Sequence, residues 1–235
     1  MTTEPARTYP TPETPHVGVR GEATLEVEPE LARIAVTVSA RGTDRRATLD
    51  DLSQRNAQVL DLVKGCTDAV EKLDTGAFVI TPELRERGRG ERVRAYHGSV
   101  RVGATLTDFT ALGELTTRLA DLELTRVDGP WWSLRPDSPA YAEARRQAVR
   151  DAVQRARGYA EALGARLVAL VELADEGVQQ SAPFRAARPA MRTAAFAAPG
   201  GAEETARALD MEPERQSVYA QVTAHFTMTA PDLSG

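Results

Sequence analysis

The sequence predicts an α+β fold: an antiparallel or mixed sheet built from long β-hairpins, packed against helices that include one long helix in the C-terminal half. Three observations predict it. Residues 21–38, 96–106 and 218–226 alternate apolar and polar side chains with the period of two expected of half-buried strands. Residues 49–63, 109–122 and 138–163 instead repeat apolar residues at helical spacing. Glycine and proline mark the junctions, at Pro29, Gly65, Gly88, Gly90 and Gly164.

The chain opens with MTTEPARTYPTPETPH, residues 1–16, which hold four prolines and almost no apolar side chains and read as a disordered tail. In the next stretch, Ala23, Leu25 and Val27 alternate with Glu22, Thr24, Glu26 and Glu28. Pro29 removes a backbone donor, and Ile34, Val36 and Val38 resume the alternation, so residues 21–38 are expected to form a hairpin. Thr43 or Asp44 then caps a helix carrying Leu49, Leu52, Val59, Leu60 and Val63, with Gly65 as its stop. A linker from Thr67 to Asp74 leads into a strand from Phe78 toward Arg87. RERGRGERVR is the turn of a second hairpin, which returns through Tyr96, Val100 and Val102 to Leu106.

Asp108 caps a core helix with Phe109, Leu112, Leu115, Leu119 and Leu122 on one face. The strand Val127–Leu134 follows; its adjacent Trp131 and Trp132 must point to opposite sides, because side chains alternate across a strand. The longest helix starts at Ser138, with Pro139 in a favourable first position, and runs to Leu163. Tyr141, Ala144, Ala148, Ala152, Ala156, Tyr159 and Leu163 form its expected inward stripe. Leu167–Leu173 is a strand. Residues 178–215 then form a long insertion rich in alanine, proline and arginine before the final strand, and 178–202 contain no acidic residue at all. The folded region is expected over residues 17–229, as one domain or two subdomains, with a short tail at 230–235.

Composition limits the chemistry. Among 235 residues, 29 basic side chains stand against 34 acidic ones, a net charge of −5 that disfavours a nucleic-acid partner without a local basic patch. The single cysteine, Cys66, excludes an intramolecular disulfide and any multi-cysteine metal site. Arg85, Arg87, Arg89, Arg92 and Arg94 around Gly88 and Gly90 suggest a phosphate grip, but no Lys-Ser/Thr pair follows and no helix begins there, so a solvated hairpin tip is expected. His16, His97 and His225 lack metal-ligand spacing, and no nucleophile-elbow motif accompanies them. No catalytic residue, metal or cofactor is expected, and no run is long enough to span a bilayer. Without the apolar stretch of a secretory signal, the expected location is the cytoplasm.

The ordered set of GEATLEVEPELARIAVTV, FVITPEL with Pro82, the Tyr96 strand after its glycine-arginine tip, the SPAYAEARRQAVRDAVQRARGYAEALG helix, the insertion with RPAM and the closing QVTAHFTM resembles the SIMPL, or DUF541, family from Val17 to Met228. The resemblance implies an α+β fold with antiparallel sheet, and self-assembly into a ring-like or channel-like homo-oligomer. It also implies a bacterial stress-related role, often in the periplasm or envelope, and supplies no catalytic motif.

The expected function is therefore that of a non-enzymatic self-assembling protein. The alternative is a partner-binding adaptor using the 178–202 insertion, and a third reading is an uncharacterised enzyme built around His97 or His225. The candidate interaction residues are Trp131 and Trp132, the anchors Phe184, Arg185, Arg188, Arg192 and Phe196 of the insertion, and the acidic row Glu22, Glu26 and Glu28, on which that basic arm is expected to dock.

Overall fold

The computed structural model describes residues 9–84, 93–181 and 208–233. In chain order these form β1 (His16–Val27), β2 (Leu31–Gly42), α1 (Arg45–Lys64), β3 (Val70–Leu84), β4 (Val93–Leu106), α2 (Phe109–Ala120), β5 (Thr125–Ser133), α3 (Pro139–Ala162), β6 (Leu167–Ser181) and β7 (Gln216–Met228). All strand pairing is antiparallel, and the α+β class is as the sequence predicts. The chain divides into two compact units, one made of Met1–Val27, Pro136–Ala187 and Arg215–Gly235, the other of Glu28–Arg135 and Arg188–Glu214.

The first unit is a three-stranded sheet in the order β1-β7-β6 with α3 on one face. Ser138 caps α3 by accepting the Ala140 N–H at 3.3 Å, and Gly164 ends it at a φ of +64° that favours glycine. Ala144, Ala148, Ala152, Ala156 and Ala160 recur every fourth residue and are fully buried. The helix sits so close to β1 that a Cβ on Gly21 would come within 2.1 Å of the Ala148 carbonyl oxygen and 2.6 Å of the Ala152 nitrogen. Beside that crossing the Glu22 N–H donates to Asp151 Oδ2 at 2.9 Å, tying the strand backbone to the helix. Val218, Ala220, Val222, Ala224 and Phe226 of β7 complete the buried face.

The second unit is a four-stranded sheet in the order β3-β4-β2-β5. Ile34, Val36 and Val38 of β2 and Val102 and Ala104 of β4 meet Leu52, Val59 and Val63 of α1 and Leu112, Leu115 and Leu119 of α2 in one core. Asp44 caps α1 through the Ala47 N–H at 2.9 Å, and Asp108 caps α2 through Thr110 and Ala111. The chain returns along α2 at residues 208–214. There the Leu209 N–H donates to Thr117 Oγ1 at 3.0 Å, and the Leu209 carbonyl oxygen occupies the space a Cβ on Gly113 would need.

Several expectations are corrected. Residues 21–38 are two strands but not a hairpin: β1 pairs with β7, while β2 pairs with β4 and β5. Alternation fixes which side of a strand is apolar, not which strand lies beside it, and Pro29 marks the passage from one unit to the other rather than a turn. The linker expected at Thr67–Asp74 contains the start of β3, because Val70 and Leu73 pack against the core. β6 continues through Ser181, so the insertion does not begin at Val178; residues 182–207 lie outside the described residues. Tyr159 and Leu163 are exposed rather than inward, since the buried stripe follows the strict fourfold repeat through Ala160. The second hairpin holds: β3 and β4 pair on either side of residues 85–92, which lie outside the described residues.

Gly21→Val should lower stability by about 1–3 kcal/mol, because the added atoms meet helix backbone that cannot turn aside. Gly158, also on α3, has nothing within 4 Å of an added Cβ, and Gly158→Ala should raise stability by about 0.8–1 kcal/mol through helix propensity. Urea denaturation of the two variants checks both signs.

Candidate functional site

Trp131 and Trp132 divide as β5 requires. Trp132 packs against the core with its ring edge-on to Phe109, centroids 4.8 Å apart at 77°. Trp131 lies on the opposite face of the sheet and is 43% exposed. The acidic row is not one surface. Glu22 and Glu26 share the face of β1 turned away from α3, whereas Glu28 lies beyond the end of β1 and belongs to the other unit. Glu22 lies near the Tyr219 hydroxyl, whose pKa is raised first by burial and then by that carboxylate. Phe184, Arg185, Arg188, Arg192 and Phe196 lie outside the described residues.

His97 and His225 each stand beside a carboxylate. His97 Nε2 lies 2.8 Å from Glu83 Oε2, and Arg41 Nη2 reaches the same oxygen at 2.6 Å. Arg94 Nη1 approaches the other oxygen at 3.4 Å, so three strands converge on one carboxylate at the exposed end of the sheet. His225 Nδ1 lies 3.9 Å from Glu172 Oε2, and its ring lies against Gly18. Neither ring has a hydroxyl partner among the described residues. Cys66 is half-buried just after α1, against the core. Among the described residues, no group of three His, Cys, Asp or Glu side chains is placed to hold a metal, and no helix is long and apolar enough to cross a membrane.

The feature that sequence reading missed is β6. Val168, Leu170, Val171 and Leu173 are 64%, 53%, 43% and 46% exposed on an edge strand of the first unit. The signal was present, since Leu167–Leu173 is more continuously apolar than a strand with one solvated face should be. α3 packs on β1 and β7 and scarcely reaches β6.

Glu83 gives a testable pH dependence. Hydrogen bonds from His97 and then Arg41 hold its carboxyl at about 2, down from the usual 4.5. A carboxyl depressed in the folded state adds stability that is present above its unfolded pKa and is lost as pH falls through its folded one. The excess stability of the wild type over Glu83→Gln should therefore be full above about pH 5 and shrink steadily toward pH 2. Parallel urea midpoints measured across that range check it; a constant difference contradicts the clamp.

Residues 17–226 match the family SIMPL, "Protein of unknown function (DUF541)". The chain is 23% identical over 218 residues to the "Uncharacterized protein YggE" of Edwardsiella ictaluri, covering 92% of this chain and 84% of that one. It is 25% identical over 206 residues to the "26 kDa periplasmic immunogenic protein" of Brucella melitensis and to the protein of the same name in Brucella abortus, covering 85% of this chain and 78% of each. With the match extending from the first described strand to the last, this chain belongs to the SIMPL family.

Proposed function

We propose that the chain is a non-enzymatic protein that self-assembles into a homo-oligomer, with the apolar side chains of β6 as the contact between copies. The observation that carries this is the exposure of Val168, Leu170, Val171 and Leu173 together on one edge strand. Contiguous apolar surface on a soluble protein marks a contact, and an uncovered edge strand is a liability unless something covers it. The β6 ladder slips at three places, which disfavours plain strand addition at the backbone and favours a side-chain contact. Of the acidic residues of β6, Glu172 lies toward His225, Asp175 accepts from the Gly177 N–H at 2.8 Å, and Glu176 accepts from the Thr223 hydroxyl at 3.1 Å.

The non-enzymatic part of the reading is supported by where the perturbed groups lie. Glu83, Glu143 and Tyr219 do not line the recess at Ala35 and Gly103, the one beside Ser138 and Tyr141, or the one beside Phe109 and Leu209. A stress-related role, which the family resemblance implies, belongs to the same proposal. So does the periplasmic location named in the Brucella relatives, in place of the cytoplasmic expectation, which the comparisons do not support.

Native mass spectrometry tests the assembly. The wild type should appear at multiples of 25.4 kDa at micromolar concentration, and Leu170→Lys combined with Val171→Lys should shift it to monomer with unchanged circular dichroism. A wild type that is strictly monomeric overturns the proposal. Dissociation by Trp131→Ala, with the β6 pair unaffected, would keep the assembly and remove β6 as its site.

A further inference from the structure

The second unit carries a recess of its own, on the sheet face turned away from α1 and α2. Ala35 of β2 and Gly103 of β4 are direct partners across the two central strands and form its floor. The flanking strands both break register around it: β3 carries an extra residue between Thr75 and Phe78, and β5 carries one opposite Arg33–Ala35. A bulge bends its strand and re-aims the neighbouring side chains. Two of them, one on each side of a floor with almost no side chains, leave a hollow of about 560 Å³, within the size range of small-molecule sites. Ala35 is only 3% exposed although it points away from the helices, so the side chains around it stand as walls.

Those walls have a definite chemistry. Trp131 stands directly across from Arg33, and Arg101 lines the recess from β4. The Asp74 carboxylate lies over Gly103, where a Cβ would come within 2.8 Å of its Oδ1. The acidic groups at this level each have a cation on their own strand: Asp74 has Lys72 at 3.9 Å, and Asp128 has Arg126 at 2.7 Å. Among the described residues, neither Arg33 nor Arg101 has a carboxylate within ion-pair distance. Two guanidiniums with no carboxylate at ion-pair distance among the described residues, beside an exposed indole and the small Ala35, are complementary to one kind of small molecule.

We propose that this recess binds a planar aromatic carboxylate, its ring lying against Trp131 over Ala35 and its carboxylate held by Arg33 and Arg101. A guanidinium offers paired N–H donors that match a carboxylate, and charge-assisted hydrogen bonds of this kind are the stronger ones. The indole face supplies an offset-stacking surface for the ring. The recess involves no residue of β6, so ligand binding and self-assembly are separable.

The test is calorimetric titration of the full chain with 2-naphthoate and with its neutral counterpart 2-naphthamide, supported by saturation-transfer NMR of the ligand protons. Naphthoate should bind at least about tenfold more tightly than the amide, the size of one charge-assisted hydrogen bond. Arg33→Gln and Arg101→Gln should each remove most of that preference, Trp131→Leu should weaken both compounds, and Arg20→Gln, in the other unit, should change neither. Circular dichroism confirms that the variants remain folded. The proposal is overturned by equal affinity for the two compounds, by affinity unchanged in Arg33→Gln and Arg101→Gln, by an equal loss in Arg20→Gln, or by no saturation at millimolar naphthoate.

Discussion

The first unit depends on how near one helix comes to one strand. At Gly21 there is room for a hydrogen and nothing larger, and the alanines that face it are the smallest side chains able to form a helix without cost. Close approach has a geometrical consequence. A helix is about 10 Å across, and strands lie about 4.8 Å apart, so a helix lying flat on a sheet roofs about two strands. α3 takes β1 and β7, and the third strand is left with apolar side chains that no helix among the described residues of its unit covers. The bare surface of β6 is thus a counterpart of the tight seam at Gly21: bulkier residues along α3 would lift the helix and widen its reach at the expense of that seam.

The second unit solves the same problem differently. Two helices with leucine and valine ridges cover the inner face of four strands, and the contact of Phe109 with Trp132 fixes α2 against the edge strand β5. Because neighbouring residues of a strand point oppositely, burying Trp132 commits Trp131 to the other side. The outer face then inherits a large aromatic ring next to a floor of alanine and glycine, an uneven surface that the bulges of β3 and β5 deepen.

Local chemistry was readable in the sequence and partnership was not. Asp44, Asp108 and Ser138 announced the three helices because a cap acts within three residues of itself, and the β7 alternation announced its buried face. The opposition of Trp131 and Trp132 followed from backbone geometry alone. Strand pairing is different, since an alternating segment is equally content beside any neighbour with a matching face; this is why residues 21–38 read as a hairpin and prove to be strands of two sheets. The cluster at Glu83 gathers Arg41, Arg94 and His97 from across the β2–β4–β3 ladder, and the recess over Gly103 needs two register slips that no residue type specifies. Both sites exist only after long-range pairing.

The place of β7 also bears on how the protein comes into being. Of the described strands, the last in sequence, β7, is the middle strand of its sheet, and the first, β1, has no other strand partner among the described residues. Between them the chain delivers β2 to β5 with α1 and α2, whose pairings are all among neighbours already synthesised. Vectorial synthesis therefore lets these strands pair early, while β1 stays open until β7 emerges. Removal of β7 takes out a keystone rather than a fringe, and β1 waits for that partner while β2 to β6 are made.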